Sequence, residues 1–275
     1  MKILLPALVA GTMLAAAPAV AQDSADWTGP YVGGHGGYGW VADDADETLV
    51  FDTNQDGSFN DTVNTAAGAN AFSPGFCAGS AITNAPSGGC EKDEGSVTFG
   101  AQAGYDVQMG DSFVVGLVAD YTHGSLRDYV TGYSTTPASY TVQRELKHQA
   151  GLRARAGFAL NNTLIYGTGG LAYGRIQNSF ATTNGANSFT GNGNEDAWGY
   201  SLGGGLEQRI NPSLSIGVQY LYTSLDAGDN TVRVGQGTAL ANNPFLLVNS
   251  SGTDLKTSND KFETHGVSAV MNFRF

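Results

Sequence analysis

Gly95-Ser96-Val97-Thr98-Phe99-Gly100-Ala101-Gln102-Ala103-Gly104-Tyr105-Asp106-Val107-Gln108-Met109 reads as two interleaved sequences. After Gly95, the odd positions Val97, Phe99, Ala101, Ala103, Tyr105, Val107 and Met109 are all apolar. The even positions are Ser96, Thr98, Gly100, Gln102, Gly104, Asp106 and Gln108, polar or Gly throughout. A period of two places the two sets on opposite faces of a β-strand, one dry and one wet. Strands in soluble domains usually run about 5–6 residues, and this one is far longer.

The same alternation recurs on both sides. Phe113, Val115, Leu117, Ala119 and Tyr121 share one face, as do Leu214, Ile216, Val218, Tyr220 and Tyr222. Val142, Leu146, Ala150, Leu152, Ala154, Ala156 and Phe158 share a parity, with Gln143, Glu145, Lys147, Gln149, Arg153 and Arg155 opposite. Ile165, Leu171 and Tyr173 form a further set, and so do Trp198, Tyr200, Leu202, Leu206 and Ile210. The last strand carries Val267, Ala269, Met271, Phe273 and Phe275 on one side, with Ser268, Asn272 and Arg274 on the other. A Gly-rich first strand, 30–41, has Val32, Tyr38 and Trp40 in phase.

These segments make eight strands. Tight turns at Gly110-Asp111, Asn161-Asn162 and Asn211-Pro212 alternate with long connections near 42–94, 124–140, 176–195 and 226–261. Short turns on one side and long loops on the other predict an all-β fold: an eight-stranded antiparallel transmembrane β-barrel with long extracellular loops and periplasmic termini. A soluble β-sandwich also alternates, but it does not need strands of this length. The first loop is long, polar and rich in Gly, Asn and Asp, so its removal is expected to cost the barrel little packing.

Composition narrows the function classes. The 275 residues include 39 Gly and only 14% charged residues, and the net charge is −12. Such an acidic chain lacks the Lys and Arg that neutralise phosphates, which argues against a nucleic-acid partner. At the N-terminus, Lys2 precedes an apolar run and Ala19-Val20-Ala21 offers a small-x-small cleavage site. Residues 1–21 are therefore expected to be a secretory signal peptide and 22–275 the barrel, with no further domain after it. In an exported chain, the two cysteines, Cys77 and Cys90, are expected to form a disulfide that stabilises by about 3 kcal/mol.

Several stretches resemble a known family. They are Asp26-Trp27-Thr28-Gly29-Pro30-Tyr31-Val32-Gly33-Gly34, Gly151-Leu152-Arg153-Ala154-Arg155-Ala156-Gly157-Phe158, Thr168-Gly169-Gly170-Leu171-Ala172-Tyr173-Gly174, Gly203-Gly204-Gly205-Leu206-Glu207, Gln219-Tyr220-Leu221-Tyr222 and the ending Asn272-Phe273-Arg274-Phe275. Together they are similar to the alphaproteobacterial outer-membrane β-barrel surface proteins, OmpA-like and opacity-type barrels of the "porin family". The likeness covers the strands and not the long loops. Two positions depart from it: Val118 and Gln219 stand where family members often carry carboxylates. The resemblance implies outer-membrane lipids, the barrel-assembly machinery and periplasmic chaperones as partners. It also implies an assembly signal in the last strand, ending on Phe273 and Phe275.

The wet faces supply a candidate lumen network: Asp120, Arg153, Arg155 and Glu207. Counted from the turns, Arg155 and Glu207 lie at similar depth near the periplasmic end. Only the fifth strand separates them, and Gly167 and Gly169 there are read as leaving space. Buried charges need partners, so the network is read as a plug.

Other motifs carry less. Gly34-His35-Gly36-Gly37-Tyr38-Gly39 fits G-x-G-x-x-G but has no helix or parallel unit after it, so close strand packing explains it better. His123-Gly124-Ser125 resembles the His-x-Ser element of barrel-type lipid A deacylases, with Leu126 in place of that family's Asn and no matching carboxylate evident. Asp52-Thr53-Asn54-Gln55-Asp56-Gly57 begins like a calcium loop, but Val63 holds the twelfth position where a bidentate Glu is needed. No catalytic, cofactor or metal site is expected. The expected role is structural and surface-facing: membrane integrity, or adhesion and host interaction through the loops. The alternative is a small porin with slow passive solute passage, and a lipid A-modifying enzyme is a distant third.

Overall fold

The computed structural model describes residues 26–42, 46–191, 193–228 and 230–275. The expected leader, 1–21, lies outside the described residues. Fifteen strands are present among them: β1 (Gly29–Val41), β2 (Leu49–Asp52), β3 (Gly75–Ala78), β4 (Ser80–Ala81), β5 (Cys90–Glu91), β6 (Ser96–Met109), β7 (Phe113–Ser134), β8 (Ala138–Leu160), β9 (Thr163–Thr182), β10 (Ser188–Gly191), β11 (Glu195–Asn211), β12 (Leu214–Asp226), β13 (Val232–Gly235), β14 (Thr253–Thr257) and β15 (Lys261–Arg274). Eight of them, β1, β6, β7, β8, β9, β11, β12 and β15, form a closed antiparallel ring. Closure joins the first strand to the last, with Tyr31 opposite Arg274 and Val41 opposite Thr264.

The faces explain the ring. Val97, Phe99, Tyr105, Leu117, Leu152, Leu171, Trp198, Leu206, Val218 and Met271 all point outward and are exposed. Contiguous apolar exposure on this scale has no place in water, and a bilayer supplies the missing apolar contact. The opposite parity, with Thr98, Gln102, Asp106, Asp120, Arg153, Glu207 and Asn272, is buried inside. Two glycines make room there. A Cβ on Gly33 would strike the Asn272 side chain, and one on Gly104 would strike the Tyr31 ring. Close packing thus accounts for Gly33 of β1 and Gly104 of β6.

The outer half departs from the sequence reading in three ways. First, the expected 124–140 loop is mostly strand: β7 and β8 continue as a hairpin whose turn spans only 135–137. Second, the alternation in β8 resets. Its register against β9 slips between Leu146 and His148, a bulge that turns Val142 and Leu146 inward while Leu152 and Phe158 stay outward. Glu145 therefore lies on the outside of the wall, not on the lumen face with Arg153.

Third, the first loop is packed. β2, β10, β13 and β14 form a second, four-stranded sheet from three different loops. Leu49, Phe51, Val63, Ala71 and Phe72 of the first loop share a core with Val130, Tyr140 and Val142 of the hairpin and Val232, Val234, Phe245 and Leu255 of the last loop. Removing the first loop would open this core, a cost that falls on the cap and not on the eight-stranded ring below it. The loops build a folded cap above the barrel.

Cys77 and Cys90 form a disulfide within the first loop, Cα atoms 6.6 Å apart. The bridge lies beside Tyr133 of the hairpin, whose hydroxyl is 3.1 Å from Cys90 Sγ. Thiol labelling of the folded protein without reductant is expected to fail at both positions. Labelling of both would show that the bridge does not form.

Candidate functional site

The lumen is filled in layers. Nearest the periplasm, Trp27 is fully buried with Val114, Ala159, Leu164 and Tyr166. Above it, Arg155 donates Nε to Asp106 Oδ1 at 2.7 Å and Nη1 to Glu207 Oε2 at 3.1 Å. Arg274 reaches the same two carboxylates, each at 2.9 Å. Glu207 also accepts from Ser215 at 2.5 Å and Asn272 at 3.0 Å. The Tyr31 ring sits under both guanidinium groups, 4.7 Å from Arg155 and 4.8 Å from Arg274. One level further out, Arg153 donates to Asp120 through Nε at 3.0 Å and Nη2 at 2.9 Å. Three arginines face three carboxylates here, so the layer is neutral.

All four residues read from the sequence lie in this network, but as two pairs. Asp106 and Arg274 complete it and are absent from the network read from the sequence. Both lie on wet parities, yet their convergence depends on ring closure, which brings β15 next to β1 and β1 next to β6. Gly167 and Gly169 are not the spacers between Arg155 and Glu207, because β9 turns its even positions inward. Tyr166 fills that gap, its ring 5.0 Å from Arg155 and its hydroxyl 3.0 Å from Gln219 Oε1.

Farther out, a cavity of about 60 Å³ is lined by His35, Thr98, Thr122, Gln149, Thr223 and others. Above it, Leu126, Leu146, Ile176, Leu225 and Phe262 gather as a buried apolar cluster. Arg144 then ties the wall to the cap. It donates Nε to Asp128 at 2.6 Å, Nη2 to Glu47 at 2.8 Å and Nη1 to the Asn259 carbonyl at 2.7 Å. Nothing in the periodicity distinguishes Arg144, because it lies on the stretch of β8 whose parity the bulge reverses.

The weaker motifs resolve locally. Ser125 donates to Glu145, and His123 faces His148 rather than Ser125. A serine held by a carboxylate, with no imidazole on its oxygen, lacks the oriented base that nucleophilic attack needs. Glu145 also accepts from Arg127 at 3.0 Å and pairs with Lys147 at 3.1 Å. Asp52 accepts from the backbone of Gln55, Asp56 and Gly57, so its own turn occupies the carboxylate. Among the described residues, no three His, Cys, Asp or Glu side chains gather as a cation site.

A closed eight-stranded ring with an apolar outer surface, a polar lumen and one end capped by loops defines a transmembrane β-barrel of the outer membrane. The chain belongs to the outer membrane protein beta-barrel domain family, whose model matches residues 7–275. A 31 kDa outer-membrane immunogenic protein of Brucella melitensis is 32% identical over 143 residues, 50% of this chain and 58% of that protein. The chain thus spans less than two thirds of the length of that relative. A 22 kDa outer membrane protein of Rhizobium leguminosarum bv. viciae is 28% identical over 162 residues, 53% of this chain and 68% of that one. Among solved structures, the outer membrane protein OprG from Pseudomonas aeruginosa aligns with a TM-score of 0.48 and 14% identity, covering 91% of this chain and 99% of that chain.

Proposed function

We propose that this chain is a non-enzymatic surface protein in which a sealed barrel anchors a folded cap, and that the cap makes the contacts with the cell's surroundings. One observation carries the reading: apolar residues from three loops and the β7–β8 hairpin share a single core. Loops that only join strands do not need a common core. A fixed cap presents a constant surface, as adhesion or host interaction requires. The immunogenic character in the name of the Brucella relative agrees with such exposure.

The test compares cells carrying the whole chain with cells carrying the barrel whose cap segments are replaced by short turns. Adhesion to host cells or matrix should fall with the cap while envelope resistance to detergent is kept. Unchanged adhesion would remove this role and leave membrane integrity as the function.

In the same reading, residues 1–21 are removed on export and 22–275 form one unit. Lumen charges Asp120, Arg153, Arg155 and Glu207 hold the plug, and Phe273 and Phe275 present the assembly signal to the barrel-assembly machinery. Phe273 and Phe275 are both exposed on the outer face, free for such contact. A chain ending at Arg274 should reach the outer membrane at clearly reduced yield. Normal yield would take the signal away from Phe275.

A further inference from the structure

We propose that Tyr121, His123 and His148 form a binding site for a borderline divalent cation, of the Zn²⁺ or Cu²⁺ class, on the outer face of the barrel where β7 and β8 pair. Two of the chain's four histidines are involved. His123 and His148 stand opposite each other on β7 and β8, with their Nδ1 atoms 3.4 Å apart. A tetrahedral metal with nitrogens at about 2.0–2.1 Å requires the two nitrogens to be roughly 3.3 Å apart. The pair therefore already has the separation of two ligands on one cation. Tyr121, two residues before His123 on the same face, places its hydroxyl 2.6 Å from His148 Nδ1. It fixes the ring of His148 in the metal-free protein and stands ready beside the coordination sphere.

The bulge is the second observation. The slip of β8 between Leu146 and His148 and the matching irregularity of β7 between His123 and Leu126 fall at this site. Bulges commonly re-aim side chains at functional positions. Here the slip turns Lys147 and His148 to the outside in succession. Of the nearby charges, Lys147 is paired with Glu145 at 3.1 Å, and Arg175, opposite His148 in the register of β9, has Asp196 opposite it on β11.

Imidazole nitrogens favour Zn²⁺, Cu²⁺ and Ni²⁺ over Mg²⁺ or Ca²⁺, with Cu²⁺ bound most tightly of the divalent series. Binding uses the Nδ1 lone pair of each neutral ring, so the Tyr121 hydroxyl gives up its bond to His148 Nδ1, and each proton stays on Nε2. Two ligands leave the remaining positions to water or to anionic groups of neighbouring lipids.

His265 supplies the control. It bonds Tyr220 at 2.7 Å and stacks on Trp40, so its ring partners are tyrosine and tryptophan rather than histidine.

The experiment titrates the folded chain in detergent with Cu²⁺, reading affinity by calorimetry and ligands by electron paramagnetic resonance, with Zn²⁺ as competitor. The expected result is one Cu²⁺ per chain with two-nitrogen coupling, displaced by Zn²⁺. His123→Ala and His148→Ala should each weaken binding by about 100-fold, since each removes the advantage of a second tethered ligand. His265→Ala should leave binding unchanged. Heat-modifiable migration monitors folding of each variant, and all three rings lie outside the barrel wall. Equal binding by the wild type and His148→Ala, or a nitrogen signal unaltered by both substitutions, would overturn the site.

Discussion

Glu207→Ala should destabilise the barrel by about 3–5 kcal/mol, less where water enters the lumen. The carboxylate is 2% exposed and answers two guanidinium groups, Arg155 and Arg274. Its removal leaves Asp106 alone against both arginines and strands the Ser215 hydroxyl and the Asn272 amide. Glu145→Ala is the comparison. Glu145 is 8% exposed, but its partners Arg127 and Lys147 are 37% and 36% exposed and keep Glu94 and Gln177, so no buried charge is left alone and the cost should be about 1–2 kcal/mol, below that of Glu207→Ala. Urea unfolding of both variants in lipid vesicles measures the difference. Equal, near-zero shifts would mean that the lumen pairs are fully hydrated and do not hold the barrel.

Phe72→Ala should loosen the cap without unfolding the barrel. Phe72 is 3% exposed and touches Phe51, Phe76, Tyr140 and Phe245, with ring centroids 4.5 to 6.1 Å away. Truncating a core Phe costs about 3–5 kcal/mol through lost burial and the cavity left behind. The barrel has its own packing and its own ring of backbone hydrogen bonds, so the loss falls on the cap. Limited proteolysis should cut the first and last loops of the variant quickly while heat-modifiable migration of the barrel persists. Cleavage at the wild-type rate would show that the cap does not depend on this core.

The two variants divide along the line between what the sequence discloses and what it conceals. The membrane strands are legible because lipid on one side and a packed lumen on the other enforce strict alternation, as in β6 and β11. Arg155 and Glu207 are legible for the same reason, since parity and distance from a tight turn fix their level. Asp106 and Arg274 meet each other only once the ring closes, a contact between chain segments 168 residues apart. One extra residue in β8 is enough to reverse the reading of Val142, Leu146 and Glu145, because apolar residues continue on the same parity across the slip. The cap is hidden for another reason. Each loop supplies only a few core residues, such as Leu49 and Phe51, Val232 and Val234, or Phe245, and no loop shows a sustained pattern. Its core exists only when distant segments meet.

The proposed sealed anchor needs a lumen closed at two levels, by Trp27 and the arginine–carboxylate layer below and by Leu126, Ile176, Leu225 and Phe262 above. Conductance across planar lipid bilayers containing the purified, folded chain tests it most directly. Membranes with inserted protein should carry no unitary current steps. Reproducible steps that scale with inserted protein would contradict the sealed anchor and make the chain a small porin.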